Sequence, residues 1–209
     1  MPLLTVLEAL LAGAAFGTAC WLRPWRGRRP DDLPWPWLAW WAVLPLCWSL
    51  ERLAGNAAVQ PLSGVCLLVL MAGWPLAMLG LLPVALLGWW LGPLPVDIAL
   101  HRVVWLGVLP GTLALLIGAA VRRWLPPHLM VYILARAFFG TWLAVAACTL
   151  TAAVLYPPGG GLATADLWIA RWLAASSEAV LTGMVVAIFV AFRPEWLATY
   201  ADRLYLPKR

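Results

Sequence analysis

"VQPLSGVCLLVLMAGWPLAMLGLLPVALLGWWL", residues 59–91, decides how this chain crosses an apolar layer. Its thirty-three residues are too many for one ordinary membrane span and few for two. The basic residues around it choose between the two readings. Arg23, Arg26, Arg28 and Arg29 follow the first apolar run, Arg122 and Arg123 lie in "RRWLPPH" (122–128), and the tail after Arg193 is basic again. All three regions fall on one side only if residues 59–91 break into two segments, as the positive-inside rule requires. The break belongs at Gly73–Trp74–Pro75, because proline suits the first turn of a new helix, where its missing N–H has no partner anyway. Segments of about 15–18 residues reach only about 22–27 Å at 1.5 Å per residue. At least one of them is therefore expected to be buried, broken or re-entrant.

The rest of the chain fits that frame. Of its 209 residues, 64% are hydrophobic and 11% charged, which excludes an ordinary soluble domain. Long apolar runs without period-2 alternation favour helices over a β-barrel. The expected fold is an all-α integral membrane protein, one polytopic domain over 1–209. Its seven segments are near 3–22, 35–53, 59–73, 74–91, 98–121, 128–155 and 172–192, with a short pair inside 59–91. The first run has no basic residue before Arg23, so it reads as a retained span and not a signal peptide. The topology places the N-terminus outside and the C-terminus in the cytoplasm. The net charge of +5 sits in loops and tails and is no nucleic-acid footprint.

Ionisable residues within the spans carry the most information, since charge in lipid is costly. They are Glu8, Glu51, Arg52, Asp97, His101, Arg102, Arg136, Arg171 and Glu178. Asp97 stands at a helix start, where it can cap and oppose the dipole. Arg136 lies about two turns inside its span and needs water, a carbonyl or a carboxylate; Glu178 and Glu8 are candidate counter-charges. Glu178, Arg136, His101 and Asp97 are the candidates for a ligand site or cavity. Gly73, Pro75, Gly140 and Gly183 mark close packing or breaks. The sixteen tryptophans, densest in "WPWLAWW" (35–41), read as an interfacial belt, and the four cysteines as small buried hydrophobes. No P-loop, GxGxxG, HExxH or GxSxG occurs, so no catalytic residue and no cofactor is expected.

Three stretches carry a resemblance: "WLGVLPG" (105–111), "LPPHLMVYILARAFFGTWLA" (125–144) and "SEAVLTGMVVAIFVAFRPEWLATYADRLYL" (177–206). With the short pair around "LMAGWPLAMLGL" (70–81), they resemble the CbiM-like permeases. These are the substrate-binding membrane components of energy-coupling-factor transporters for cobalt and nickel. The resemblance covers roughly residues 60–206. It implies a seven-helix bundle in the bacterial cytoplasmic (inner) membrane with an extracytoplasmic N-terminus. It also implies a non-enzymatic role in capturing a divalent metal, coupled to a transmembrane partner and ATPase subunits. The family's histidine ligands are missing: residue 2 is Pro2, and "NAAVQPLSGV" before the pair holds no histidine. The metal ligands therefore stay unassigned. Arg136 stands where the nearest branch has asparagine. The alternative is an accessory or assembly subunit of a larger membrane complex, one that kept the scaffold and lost the metal site.

Overall fold

Proline and glycine set the helix boundaries in the computed structural model, which describes residues 2–27, 36–49, 61–91, 95–156 and 164–200. Every regular element among them is helical. Helix α1 is Pro2–Trp21, α2 is Trp37–Trp48, α3 is Val65–Ala72 and α4 is Trp74–Leu91. Helix α5 runs over Val96–Trp124, α6 over Val131–Leu155 and α7 over Thr164–Phe192. Four helices, α1, α5, α6 and α7, are long and apolar enough to cross a membrane. Glu51 and Arg52 lie outside the described residues.

Two breaks show the local cause. Leu125 precedes Pro126, and the proline ring forces it into extended backbone (φ −107°, ψ 149°), which ends α5. Between α3 and α4, Gly73 takes φ +84°, a conformation that L side chains rarely adopt. Its amide still donates to Val69, and its carbonyl accepts from Ala77 in the first turn of α4. Pro75 sits in that first turn. The chain therefore turns between two helices with no connecting loop.

Helix α3 is the centre of the bundle. All eight of its residues are buried, so it is apolar on every side, as a helix without a solvent face must be. Eight residues rise only about 12 Å, which makes α3 an internal plug. Leu44, Trp48, Met78, Leu81 and Val108 join it in the main core. Gly107 and Gly111 of α5 permit this approach. A Cβ at Gly107 would stand 2.7 Å from Leu81 Cδ1, and one at Gly111 would stand 2.7 Å from Met78 Cε. Gly140 and Gly183 are packing sites too, against Ile117 and Phe138.

The tryptophans of α2 depart from the belt expectation. Trp40 donates to the Gly64 carbonyl at 2.8 Å, Trp41 to Gly80 at 2.8 Å and Trp48 to Ser63 at 3.0 Å. They pin α2 to the start of α3 and to α4 instead of lying at an interface. Trp21, Trp89, Trp90 and Trp124 are exposed at helix ends, as a belt requires. Among the cysteines Cys66 and Cys148 are buried, but Cys20 faces outward, contrary to the expectation of burial.

Two further differences concern length and helix type. Helix α7 begins at Thr164, eight residues before the expected start, and reaches 29 residues. Helices α5 and α6 each contain a π-helical stretch, Val103–Val108 and Val131–Phe139. In such a stretch the hydrogen bonds run i to i+5, the helix widens, and side chains are redirected.

Candidate functional site

Three polar clusters interrupt this apolar bundle. The first is Glu178 on α7, which is only 2% exposed. Its Oε2 accepts the Ser63 amide at 2.9 Å and its Oε1 the Gly64 amide at 2.8 Å. These are amides at the start of α3, where a helix leaves N–H groups without internal partners and where its dipole favours negative charge. Gly64 takes φ +64°, and a Cβ there would lie 2.5 Å from Leu44 Cδ2. The other end of α3 is also closed. The Thr199 amide donates to Leu70 at 3.3 Å and the Ala198 amide to Met71 at 3.2 Å. The Thr199 hydroxyl adds a bond to Leu70 at 3.1 Å. One helix and its following turn thus cap the plug at both ends.

The expected ion pair of Arg136 with Glu178 or Glu8 is therefore not formed. Glu178 is committed to backbone amides, and Glu8 to the second cluster. At that cluster, Oε1 of Glu8 accepts from Trp105 Nε1 at 2.8 Å and from the Tyr156 hydroxyl at 2.7 Å. His101 Nδ1 lies 2.9 Å from the same oxygen. The rings pack together: His101 meets Tyr156 edge-on with centroids 4.5 Å apart. Burial first, then the hydrogen bond to Glu8 and its charge, push the Tyr156 phenol up to about 12, so it remains a donor. Helix α1 supplies the acid, α5 supplies His101 and Trp105, and Tyr156, the residue directly after α6, supplies the phenol. The π-helical stretch of α5 begins two residues after His101 and contains Trp105.

Beside this cluster lies a cavity of about 210 Å³, walled by Pro61, His101, Arg102, Trp105, Thr149 and Arg171 among others. Arg102 also donates to the Trp48 carbonyl at 2.6 Å. Asp97 does not reach the cavity. It is exposed in the first turn of α5 and makes no side-chain cap bond. Of the four candidates Glu178, Arg136, His101 and Asp97, His101 alone lines this cavity. No group of three or more His, Cys, Asp or Glu side chains suited to a metal ion occurs among the described residues.

Arg136 forms the third cluster, in the π-helical start of α6. Its Nη1 reaches the Thr199 carbonyl only at 3.5 Å, and its guanidinium stands 5.5 Å above the Tyr132 ring. Gly118 of α5 gives it a seat: a Cβ there would come within 2.8 Å of Nε.

Sequence reasoning singled out Glu8, His101, Arg136 and Glu178 but not their neighbours. Trp105 and Tyr156 look like ordinary interfacial aromatics, and Ser63 and Gly64 take part mainly through backbone amides, which carry no residue signature. The charge inside a span was the readable signal. No protein-family model matches the chain, and neither a curated protein nor a solved structure matches it.

Proposed function

We propose that this chain is a multi-pass membrane protein and the solute-capture component of an energy-coupling-factor type transporter, in a bacterial cytoplasmic membrane. The observation that carries this reading is the polar cavity beside Glu8. A space that brings two arginines and a histidine together among apolar helices needs a reason, since polar groups at membrane depth are costly unless used or paired. In the orientation set by the basic loops, the cavity opens toward the outer face and the Arg122–Arg123 end faces the cytoplasm. The coupling partner and ATPase subunits would then engage the cytoplasmic side.

Cobalt or nickel is the cargo that the family resemblance implies. The cavity's own chemistry favours another class. Arg102 and Arg171 put guanidinium groups on this lining, the single donors of Trp105 and Thr149 are spent on Glu8 and the Val145 carbonyl, and Glu8 already receives three contacts on one oxygen. Such a lining suits a small solute with hydrogen-bond acceptors better than a bare divalent cation. Calorimetric titration of the purified chain separates the two. Nickel or cobalt bound at micromolar concentration and lost in Glu8→Gln would restore the metal reading. Binding of small carboxylates, lost in Arg102→Gln, would support the acceptor class. Failure of the chain to co-purify with an ATPase and a membrane partner would overturn the transporter assignment.

A second reading has its own observation. Both buried carboxylates serve internal contacts, Glu178 on α3 and Glu8 on its ring cluster, as in an accessory subunit that retains only a scaffold. Stable co-purification with a larger membrane complex, without solute binding, would favour it.

A further inference from the structure

At the opposite end of α5 and α6 from Glu8 lies a second cavity, of about 230 Å³. Residues 101 and 122 on α5 are twenty-one positions apart, about 31 Å along a helix. The cavity is walled by Val121, Arg122, Leu125, Pro126, Tyr132 and Arg136, among others. Its lining combines two guanidinium groups with apolar surface and a single phenol.

Arg136 is the informative member. Its Nε is buried and has no hydrogen-bond partner among the described residues. Its one polar contact is the 3.5 Å approach to the Thr199 carbonyl, at the limit for a hydrogen bond. A guanidinium carries five N–H donors, so most of this group's capacity is unspent. Arg122, one turn from the end of α5, is exposed beside it. Neither arginine forms an ion pair with a described carboxylate; the ion pairs among described residues are Glu8–His101 and Arg193–Glu195. An arginine held two turns inside an apolar helix, seated on a glycine and lacking a counter-charge among the described residues, can take an anion from outside the chain.

We propose that this cavity binds the phosphate of an anionic phospholipid. The inference rests on the chain lying in a membrane but not on any transport activity. A phosphate oxygen pair matches the planar guanidinium fork, and a second guanidinium on the facing helix can complete the clamp. The walls formed by Val121, Leu125 and Pro126 suit the glycerol and first acyl carbons. The volume is several times the ~30 Å³ share of one water. The site stands beside the Leu125–Pro127 turn, at the depth where basic pockets between membrane helices meet headgroups. Free inorganic phosphate offers the same oxygens without the apolar part.

Native mass spectrometry of the full chain in a non-ionic detergent tests this. The probes are phosphatidylglycerol, phosphatidylcholine and inorganic phosphate. The expected result is one retained phosphatidylglycerol, with phosphatidylcholine weaker by about tenfold or more. Arg136→Gln is expected to lower phosphatidylglycerol affinity at least about tenfold, and Arg136→Lys by less, since charge survives but the fork does not. Arg193→Gln, at an exposed arginine beside Glu195, is expected to leave it unchanged. If Arg136→Gln does not fold, the exposed Arg122→Gln serves in its place and is expected to show the same direction. Equal retention of both lipids, or wild-type binding by the variants, would overturn the proposal. So would saturable binding of inorganic phosphate that displaces the lipid at equal concentration, since the ligand would then be a soluble anion. Solute binding at the Glu8 end is a separate measurement, so failure of one reading leaves the other standing.

Discussion

Glu178 and Glu8 are both acids buried in apolar helices, yet they are held in different ways. Glu178 is bound by two backbone amides at the start of a helix that has no other surface. Glu8 is bound by three side chains from two helices, beside a cavity. A backbone amide cannot be replaced or turned away, whereas a tryptophan, a phenol and an imidazole can each rotate or bond elsewhere. The first arrangement therefore fixes the fold. The second can respond to whatever enters the space next to it. Burial of a carboxylate does not by itself distinguish a structural group from a functional one; the kind of donor that holds it differs between the two sites.

Four substitutions test that contrast, from the largest expected effect down. Glu178→Ala leaves two buried amides without acceptors, at about 1–3 kcal/mol each, so a loss of about 2–6 kcal/mol is expected. The thermal or denaturant midpoint in detergent would show it, and a midpoint near wild type would remove the special status of the α3 start. Gly64→Ala forces a methyl group into left-handed backbone and against Leu44. Strain and overpacking together predict a loss of about 2–5 kcal/mol. If that variant is as stable as the wild type, the left-handed backbone at Gly64 does not constrain the amides that hold Glu178.

Glu8→Gln keeps an acceptor but places an amide NH₂ among donors. A smaller loss of about 1–3 kcal/mol is expected, with a clear change in solute binding. Should stability fall as far as in Glu178→Ala while binding is untouched, the contrast between the two acids would collapse. Thr199→Val removes the hydroxyl that bonds Leu70 and meets Tyr132 at 2.8 Å. It leaves the Thr199 amide in place, so only about 1 kcal/mol is expected. The same unfolding series would rank it last.

Much of the fold could be read from proline, glycine and charge. The Gly73–Pro75 break is legible because one residue permits positive φ and the other has no N–H to lose. The turn between α5 and α6 is legible from Pro126 and Pro127. The early start of α7 was harder to see, because Asp166 and Arg171 interrupt its apolar character while leaving helix propensity intact. The π-helical stretches have no sequence mark, since "VVWLGV" and "VYILARAFF" would read equally well as α-helix. At the sites, a charge inside a span announced that it needed a partner but not which one. The partners of Glu178 are main-chain groups 114 and 115 residues away, selected by where α3 comes to rest. Arg136 looked like half of an ion pair. The packed helices instead gave it a glycine seat, a phenol ring and an open cavity.

The double capping of α3 also bears on the order in which the protein can be assembled. Residues 63–72 are made before α7, yet the amides of Ser63 and Gly64 and the carbonyls of Leu70 and Met71 are satisfied by Glu178, Ala198 and Thr199, which follow more than a hundred residues later. Until then, water must supply those partners, so the plug cannot settle into a dry interior ahead of α7. Closure of the centre therefore requires α7 and the turn after it. Glu178 acts as a latch on a segment that emerged more than a hundred residues before it.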